Sequence, residues 1–374
     1  MAERGLLQLL RGLLHLIFWA LIFLPIFVLP VYYMLEQPLL RPFISSLMSE
    51  LTNPASFAFR LIVYPGFTFV VLYATFLVLI ERKLAAKVQL RVGPQYAGRF
   101  EGILQSFADL LKMLGKEMIV PAGADKPLFL AAPFLATVLA GSLIALVPVS
   151  PTSAIANLSY GLLAFFAILS LYPIIVLLAA WSSNNKFTLV GGLRALHQLI
   201  AYEVPMLVAA LTPALLARSI NPLDIAGAQV MRGIPFLMLA PLSAFVFFCC
   251  MVAELERIPF DIPEADSEIV AGWLTEYSSV SYLLLYGAAP YIKMYAFAGL
   301  FTGLFLGGWA GPSFLPPDLW FQLKAFAVIL LVQLLRAVYP RYRMDQLLAL
   351  GWGRLFVLAL VNLVPAPFIA AYLA

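Results

Sequence analysis

Charged residues are scarce in this chain. Only 11% of its 374 residues are Asp, Glu, Lys or Arg, whereas 63% are apolar, and the mean hydropathy is +0.97. Soluble domains carry about a quarter charged residues, so this composition cannot build a water-soluble surface. The lipid bilayer must therefore be the solvent of this protein. No polar stretch is long enough for an independent globular domain, which predicts a single membrane domain.

Cysteine and histidine are nearly absent. Cys249 and Cys250 are adjacent within an apolar run, where they cannot readily bridge to each other, and His15 and His197 are isolated. Iron–sulfur clusters and structural zinc need larger, spaced sets of ligands. We therefore predict that the chain holds no metal centre of its own. It also lacks a glycine-rich phosphate loop and a G-x-G-x-x-G motif, so no recognised motif for nicotinamide or flavin is present.

Long apolar stretches predict the architecture. A membrane-spanning helix needs about 20 apolar residues, and the candidates predict an all-α, polytopic bundle of transmembrane helices. The nine stretches are 13–35, 59–80, 128–148, 158–181, 197–217, 235–253, 281–306, 319–338 and 355–373. The first is interrupted by Pro25 and Pro30, and its alternative is a signal peptide. That alternative is disfavoured because no small-residue cleavage site follows.

Lysine and arginine are distributed unevenly between the predicted loops. With the amino terminus inside, the inside segments contain most of the basic residues, and the outside loops contain only four arginines. Because cytoplasmic loops retain positive charge, this asymmetry places the loop at residues 254–276 on the cytoplasmic side. Residues 102–116 have one apolar helical face and are expected to lie along the membrane interface or against neighbouring helices.

Glu203 is the clearest ionisable residue within a predicted span. It lies near the cytoplasmic end of its helix, beside Pro205, which loosens the local backbone hydrogen bonding. A carboxylate partly removed from water there could exchange protons near neutral pH. The alternative is a carboxylate neutralised by Arg194 or by another subunit. Lys293 and Lys324 also lie toward membrane segments, where their side chains are expected to extend to the interface.

The loop at residues 254–276 is unusually acidic for a cytoplasmic face. Its acids are interleaved with apolar and aromatic residues, which favours packing over solvation. The spacing from Glu264 to Glu268 places two carboxylates on one helical face, where repulsion favours a shared proton. We therefore predict that the loop handles protons. Arg257 is the single basic residue of the loop. The seven acids are Glu254, Glu256, Asp261, Glu264, Asp266, Glu268 and Glu276.

Two further cytoplasmic clusters are unusual. Glu81, Gln89 and Arg91 belong to a run that follows directly on a predicted span. A positively charged flank explains the basic residues of this run but not Glu81 or Gln89. In the last cytoplasmic loop, Arg341 and Arg343 could anchor either a partner protein or a lipid headgroup, and both alternatives stay open.

Five motifs together resemble one family, the H-type membrane subunit (subunit 1) of respiratory complex I, a proton-translocating NADH:quinone oxidoreductase. The motifs run in order over about five-sixths of the chain, and PFDIPEADSE is the most specific string among them. They are ERKLAAKVQLRVGP, GILQSFADLLKMLGKE, SSNNKFTLVGGLRALHQLIAYEVP, AELERIPFDIPEADSEIVAGWLTEYSS and YPRYRMDQLLALGW.

The resemblance implies a subunit that anchors the peripheral arm of the complex and encloses much of the tunnel through which quinone reaches the last iron–sulfur cluster. Quinone is the implied substrate. Flavin and iron–sulfur clusters are implied only in partner subunits. The implied partners are the quinone-site subunits of the peripheral arm, the other membrane subunits and membrane lipids, without nucleic acid. The implied location is an energy-transducing membrane, here the bacterial cytoplasmic membrane.

The resemblance also carries family residues over onto matching positions of this chain. The implied proton route comprises Asp109, Glu203, Glu254, Asp261, Glu264, Asp266, Glu268 and Glu276. The implied quinone tunnel or its entry comprises Glu81, Gln89, Arg91, Arg257, Phe260, Arg341 and Arg343. Two acids that many members carry are missing, because Ser170 stands at one position and Ala289 with Pro290 at the other. The chain of acids is therefore expected to be broken twice.

The domain organisation and two alternatives complete the sequence predictions. Residues 1–58 precede the usual family start and are expected to contain an extra amino-terminal helix, whereas residues 59–374 form the family domain. The first alternative is the membrane anchor of an energy-converting hydrogenase or ferredoxin-linked complex, which uses the same scaffold. The second, a free-standing transporter, explains the membrane acids but not the acidic cytoplasmic loop.

Overall fold

The computed structural model describes residues 49–54, 56–98 and 102–372. Within these ranges the chain is helical and contains no strand, which confirms the all-α prediction. Two compact units divide the chain, Met1–Phe59 and Arg60–Ala374, and the candidate site residues belong to the second. The predicted span at 13–35 lies outside the described residues.

The helices vary widely in length, and π-helical and 3₁₀ turns join some of them. In chain order the α-helices are α1 Phe57–Ile62, α2 Phe67–Val88, α3 Gln105–Leu114, α4 Lys126–Ala145, α5 Gly161–Leu169, α6 Tyr172–Ser182, α7 Lys186–Ala217, α8 Pro222–Arg232, α9 Phe236–Leu239, α10 Pro241–Glu254, α11 Asp266–Ile269, α12 Ser279–Tyr282, α13 Ala289–Phe305, α14 Pro317–Val338, α15 Met344–Leu348, α16 Phe356–Leu363 and α17 Ala366–Tyr372. The π turns are Leu283–Ala288 and Ala349–Leu355, and the 3₁₀ turn is Gly272–Leu274.

Six helical stretches in the described part of the chain are long and apolar enough to cross a membrane, and the protein is a multi-pass membrane protein. They are Phe57–Val88, Lys126–Ala145, Gly161–Ser182, Lys186–Ala217, Pro317–Val338 and Met344–Tyr372. The predicted count of nine is not confirmed. One reason is Pro241, which begins a new helix within the predicted span at 235–253 and leaves α10 with only 14 residues.

Helix α13 lies at the centre of the bundle. All but one of its 17 residues are buried, as expected for a helix that is apolar on every side. Helices α2, α4, α8, α10 and α14 all contact it. The ionisable side chains of Tyr291 and Lys293 are therefore enclosed by protein.

Two buried hydrogen bonds fix α7 against α10. Gln198 Nε2 donates to the backbone oxygen of Ala253 at 2.8 Å, and Ser243 Oγ donates to that of Ala209 at 2.6 Å. Because the earlier residue of α7 meets the later residue of α10, the two helices are antiparallel. The carboxyl end of α10 is thereby brought beside the part of α7 that carries Glu203.

Close backbone contacts hold the acidic loop on α7. A Cβ atom added to Gly191 would lie 2.5 Å from the backbone nitrogen of Trp273, and one on Gly272 would lie 1.8 Å from the oxygen of Pro263. No side chain fits at these distances. Gly272 also has a φ of +58°, which glycine adopts without steric cost. Because both positions are glycine, the backbone of the 3₁₀ turn can pack directly against the amino-terminal part of α7.

Candidate functional site

The acidic loop is packed against protein, as its interleaved apolar residues predict. Phe260 is 5% exposed. Its ring centroid lies 5.4 Å from that of Tyr202 and 5.7 Å from that of Tyr342. The backbone nitrogen of Tyr342 also donates to the oxygen of Pro259 at 3.0 Å. The loop is thus held between α7 and the segment that follows α14.

One side of the loop joins a buried ion cluster around Glu81. Tyr291 Oη donates to Glu81 Oε2 at 2.8 Å, and Arg257 Nη1 donates to Glu81 Oε1 at 3.2 Å. Arg336 of α14 pairs with the same Oε1 atom. The Glu81 cluster, defined as Glu81, Arg257, Tyr291 and Arg336, therefore combines two guanidinium groups with a single carboxylate.

The Glu81 cluster is enclosed, and its charge is not balanced within itself. The side chains of Glu81 and Arg257 are 5% and 8% exposed, and that of Arg336 is 35% exposed. The guanidinium of Arg257 lies 4.8 Å from the centroid of the Tyr291 ring, where the ring face attracts a cation. Removing one partner from such a cluster leaves a buried charge uncompensated, which costs several kcal/mol.

On the other side of the loop, a second cluster surrounds Lys293. Its Nζ atom lies 3.6 Å from Glu254 Oε1 and 3.9 Å from the centroid of the Tyr172 ring. Glu203 and Glu256 also interact electrostatically with Lys293. We define the Lys293 cluster as Lys293, Glu203, Glu254, Glu256 and Tyr172.

The polar atoms at the centre of the Lys293 cluster are poorly satisfied. Within the described ranges, both carboxylate oxygens of Glu254, Oε1 of Glu256 and Nζ of Lys293 have no hydrogen-bond partner. Ionisable groups enclosed within a membrane bundle are costly, which marks the Lys293 cluster as a functional candidate.

Glu256 lies just beyond the end of α10, and its environment favours the protonated form. Burial raises the pKa of Glu256 to about 7. Lys293 and Arg257 act to lower this pKa, whereas Asp261 acts to raise it. A carboxyl group with a pKa near neutrality can accept and release protons at physiological pH.

Replacing Glu256 by glutamine is expected to remove one component of the pH dependence of stability. The folded chain keeps this proton up to about pH 7, whereas an unfolded chain releases it near the ordinary carboxyl pKa of 4.5. The folded state therefore binds more protons in this interval, and its stability falls as pH rises through it. We expect the difference in Tm, Glu256→Gln minus the unchanged protein, to increase as the pH rises from about 5 to about 8. Exposed Glu117→Gln is the control, and parallel curves for Glu256→Gln and the unchanged protein would contradict the assignment.

The other predicted residues lie around these clusters or apart from them. Asp261 pairs with Arg341 at 2.9 Å and closes the outer edge of the loop. Two further loop acids also have partners, since Glu268 pairs with Arg194 and Glu276 accepts a hydrogen bond from Asn185. The remaining pairs are largely exposed and belong to neither cluster. They are Asp109 with Arg82, Gln89 with Arg91, and Arg343 with Asp345.

Two of the sequence predictions are wrong. Glu264 and Glu268 do not stack on one helical face, because Ala265 is extended and α11 begins only at Asp266. Lys293 does not extend to the interface, because it is 1% exposed at the centre of the bundle. The side chain of Asp266 lies outside what the structure describes.

The alternative in which Arg194 neutralises Glu203 is not what the structure shows. Arg194 pairs with Glu268 instead. The positive charge that acts on Glu203 is Lys293.

Sequence reasoning missed five residues of the two clusters. Lys293 and Arg336 are charged residues inside apolar helices, and this alone marks them as functional candidates. Glu256 is one of the seven loop acids, but the resemblance gives it no place in the proton route. Tyr172 and Tyr291 carry no sequence signal that separates them from other aromatic residues, so only their contacts identify them.

The positions of the two missing acids differ in their surroundings. Ser170 is exposed, and its hydroxyl group donates to the backbone oxygen of Ala167, three residues earlier, at 3.0 Å. Ala289 is fully buried, and Pro290 lies in the first turn of α13, one turn before Lys293. An ionisable side chain is therefore present close to the second gap, although it is a base instead of an acid.

The sequence of this chain is similar to those of known proteins from one family. Residues 61–366 match the NADH dehydrogenase family. The H subunit of the NADH-quinone oxidoreductase of Geobacillus kaustophilus is 42% identical over 307 residues, covering 81% of this chain and 91% of that protein. That of a Geobacillus species is 40% identical over 325 residues, covering 85% and 97%. An H subunit of the same enzyme from Syntrophobacter fumaroxidans is 41% identical over 301 residues, covering 78% and 89%.

Both the family match and the relatives extend over most of the second compact unit, which carries the Glu81 cluster, the Lys293 cluster and the acidic loop. The chain therefore belongs to the NADH dehydrogenase family, as a member of its H-type (subunit 1) group.

Proposed function

We propose that this chain is the quinone-site membrane subunit of a proton-translocating NADH:quinone oxidoreductase in a bacterial cytoplasmic membrane. The observation that carries the proposal is a single packed loop that contributes Arg257 to one buried ion cluster and Glu256 to another. The two clusters have different chemistry. The first offers cationic donors beside aromatic rings, and the second offers protonatable carboxylates.

The Glu81 side of the loop suits a quinone path. A quinone has an apolar ring and two carbonyl oxygens, so it needs aromatic surface together with hydrogen-bond donors. Arg257 and Phe260 from the loop, with Arg341 from the segment that follows α14, offer both. We assign the tunnel or its entry to this side, with Glu81 holding Arg257 in place.

The Lys293 side suits proton transfer. The carboxylates of Glu203, Glu254 and Glu256 all interact with the charge on Lys293. Charges interact strongly where water is scarce. A change in charge near Arg257 therefore acts directly on its neighbour Glu256, on which Arg257 already exerts an electrostatic effect. This connects quinone reduction to protonation without any redox group in the chain.

The redox groups would come from partners. We assign flavin and iron–sulfur clusters to subunits of the peripheral arm, which would dock on the loop side. Helix α3 exposes Phe107, Leu111 and Leu114, an apolar face that suits lipid or a neighbouring membrane subunit. We assign residues 1–58 to an amino-terminal extension and residues 59–374 to the family domain.

Native purification of the tagged chain tests this proposal. We expect peripheral-arm subunits to co-purify and the preparation to oxidise NADH with quinone as acceptor. A large partner with paired nickel-ligating cysteine motifs, and activity with ferredoxin or hydrogen instead, would favour the energy-converting hydrogenase. A chain that purifies alone and transports a solute after reconstitution would contradict both.

A further inference from the structure

Lys293 is a buried cation to which neither the sequence pattern nor the family resemblance gives a function. It lies one helical turn beyond Pro290 in α13 and is 1% exposed. Enclosing an ammonium group within a membrane bundle is costly unless nearby groups compensate its charge. The fold must therefore supply that compensation around Lys293.

The groups that face Lys293 are acidic or aromatic. They are Tyr172 of α6, Glu203 of α7, Glu254 of α10 and Glu256 of the loop. Around them, Glu264 interacts with Tyr172, Cys250 with Glu254, and Arg257 with Glu256. The Nζ atom of Lys293 lies 3.6 Å from Glu254 Oε1, and Glu203 and Glu256 interact with its charge electrostatically. One ammonium group thus faces three carboxylates.

Lys324 shows how a structural lysine is held in the same bundle. Its Nζ atom donates to three backbone carbonyl oxygens at 2.6 to 3.1 Å. The Nζ atom of Lys293 has no such bonds among the described residues, and its contact with Glu254 at 3.6 Å is too long for a hydrogen bond. The charge of Lys293 is therefore compensated by a carboxylate, whereas that of Lys324 is held by backbone carbonyl groups.

We propose that Lys293 is a positioning residue of the proton site, and that its ammonium group sets how many protons the three surrounding carboxylates hold at a given pH. This inference rests on the proposed function. The positive charge of Lys293 balances the negative charge of one ionised carboxylate, and that carboxylate can then accept a proton. Without the ammonium group, the carboxylates repel one another in a medium of low dielectric constant and hold their protons to higher pH.

Lys293→Gln in the assembled complex tests the inference. We expect the pH profiles of quinone reduction and proton translocation in proteoliposomes to shift to higher pH by roughly one unit. Lys324→Gln is the matched control, because it removes the same charge from a neighbouring helix and leaves the Lys293 cluster intact. The profile of this control should coincide with that of the unchanged complex.

A purely structural ion pair would give a different result. Complex content or Tm would fall in Lys293→Gln while the pH profile stayed in place, and this outcome would overturn the inference. If the single variant does not assemble, the charge-balanced Glu254→Gln/Lys293→Gln is compared with Glu254→Gln, and identical pH profiles of the two would also overturn it. An unchanged complex that neither reduces quinone nor translocates protons would instead refute the proposed function.

Discussion

Replacing Glu81 by glutamine is expected to destabilise the protein more than any other single change in the loop region. The substitution leaves the guanidinium groups of Arg257 and Arg336 without their common carboxylate, in a site where the Glu81 side chain is only 5% exposed. Breaking a buried ion pair on one side costs about 3 to 5 kcal/mol. We expect a marked decrease in the Tm of the purified complex and loss of quinone reduction, because Arg257 is no longer held.

A double substitution tests whether the unpaired positive charges cause the loss of stability. Glu81→Gln/Arg336→Gln removes one of the two unpaired cations and is expected to recover part of the lost Tm without recovering activity. Lys87→Gln changes the charge of an exposed residue near the end of the same helix and should leave the Tm nearly unchanged. A Tm for Glu81→Gln equal to that of Lys87→Gln would show that the buried cluster contributes nothing to stability.

The second large effect is expected from Glu254→Gln. Glu254 is 1% exposed, and the other acids of the Lys293 cluster, Glu203 and Glu256, both interact with it electrostatically. Glutamine has nearly the same shape but cannot carry a proton. A proton-transferring side chain contributes roughly 100-fold or more to the rate of its step, so we expect proton translocation to fall by about this factor at normal complex content.

The measurement for Glu254→Gln compares proton uptake with quinone reduction in the same vesicles. Glu117→Gln neutralises an exposed acid outside the acidic loop and is expected to behave as the unchanged complex. Full retention of both quinone reduction and proton translocation in Glu254→Gln would remove Glu254 from the route.

Sequence reasoning was strongest where a single physical cost dominates. A long apolar stretch can only be a spanning or buried helix, so α4 and α14 lie close to their predicted positions. It was weaker at α7, which begins at Lys186, well before the predicted start at 197. Polar residues continue that helix, and Asn185 accepts a hydrogen bond from Phe187 at its amino end. Hydropathy does not detect such a start.

The candidate site was predicted in part for a similar reason. The density of acids in the loop is visible in the sequence. The pairing of Arg257 with Glu81 joins two residues that the resemblance assigns to the quinone tunnel or its entry. The direction of a side chain within a helix is not visible. Lys293 in an apolar helix could extend to the interface or face the core, and only the packing of α13 against α10 decides between these.

The central claim is that a buried carboxylate of the loop region changes protonation when quinone is reduced. The infrared difference spectrum between the reduced and oxidised complex tests it most directly. We predict a carboxylic acid C=O band that shifts in deuterium oxide, is absent in Glu254→Gln and persists in Glu117→Gln. A difference spectrum of Glu254→Gln that is identical to that of the unchanged complex would contradict the account.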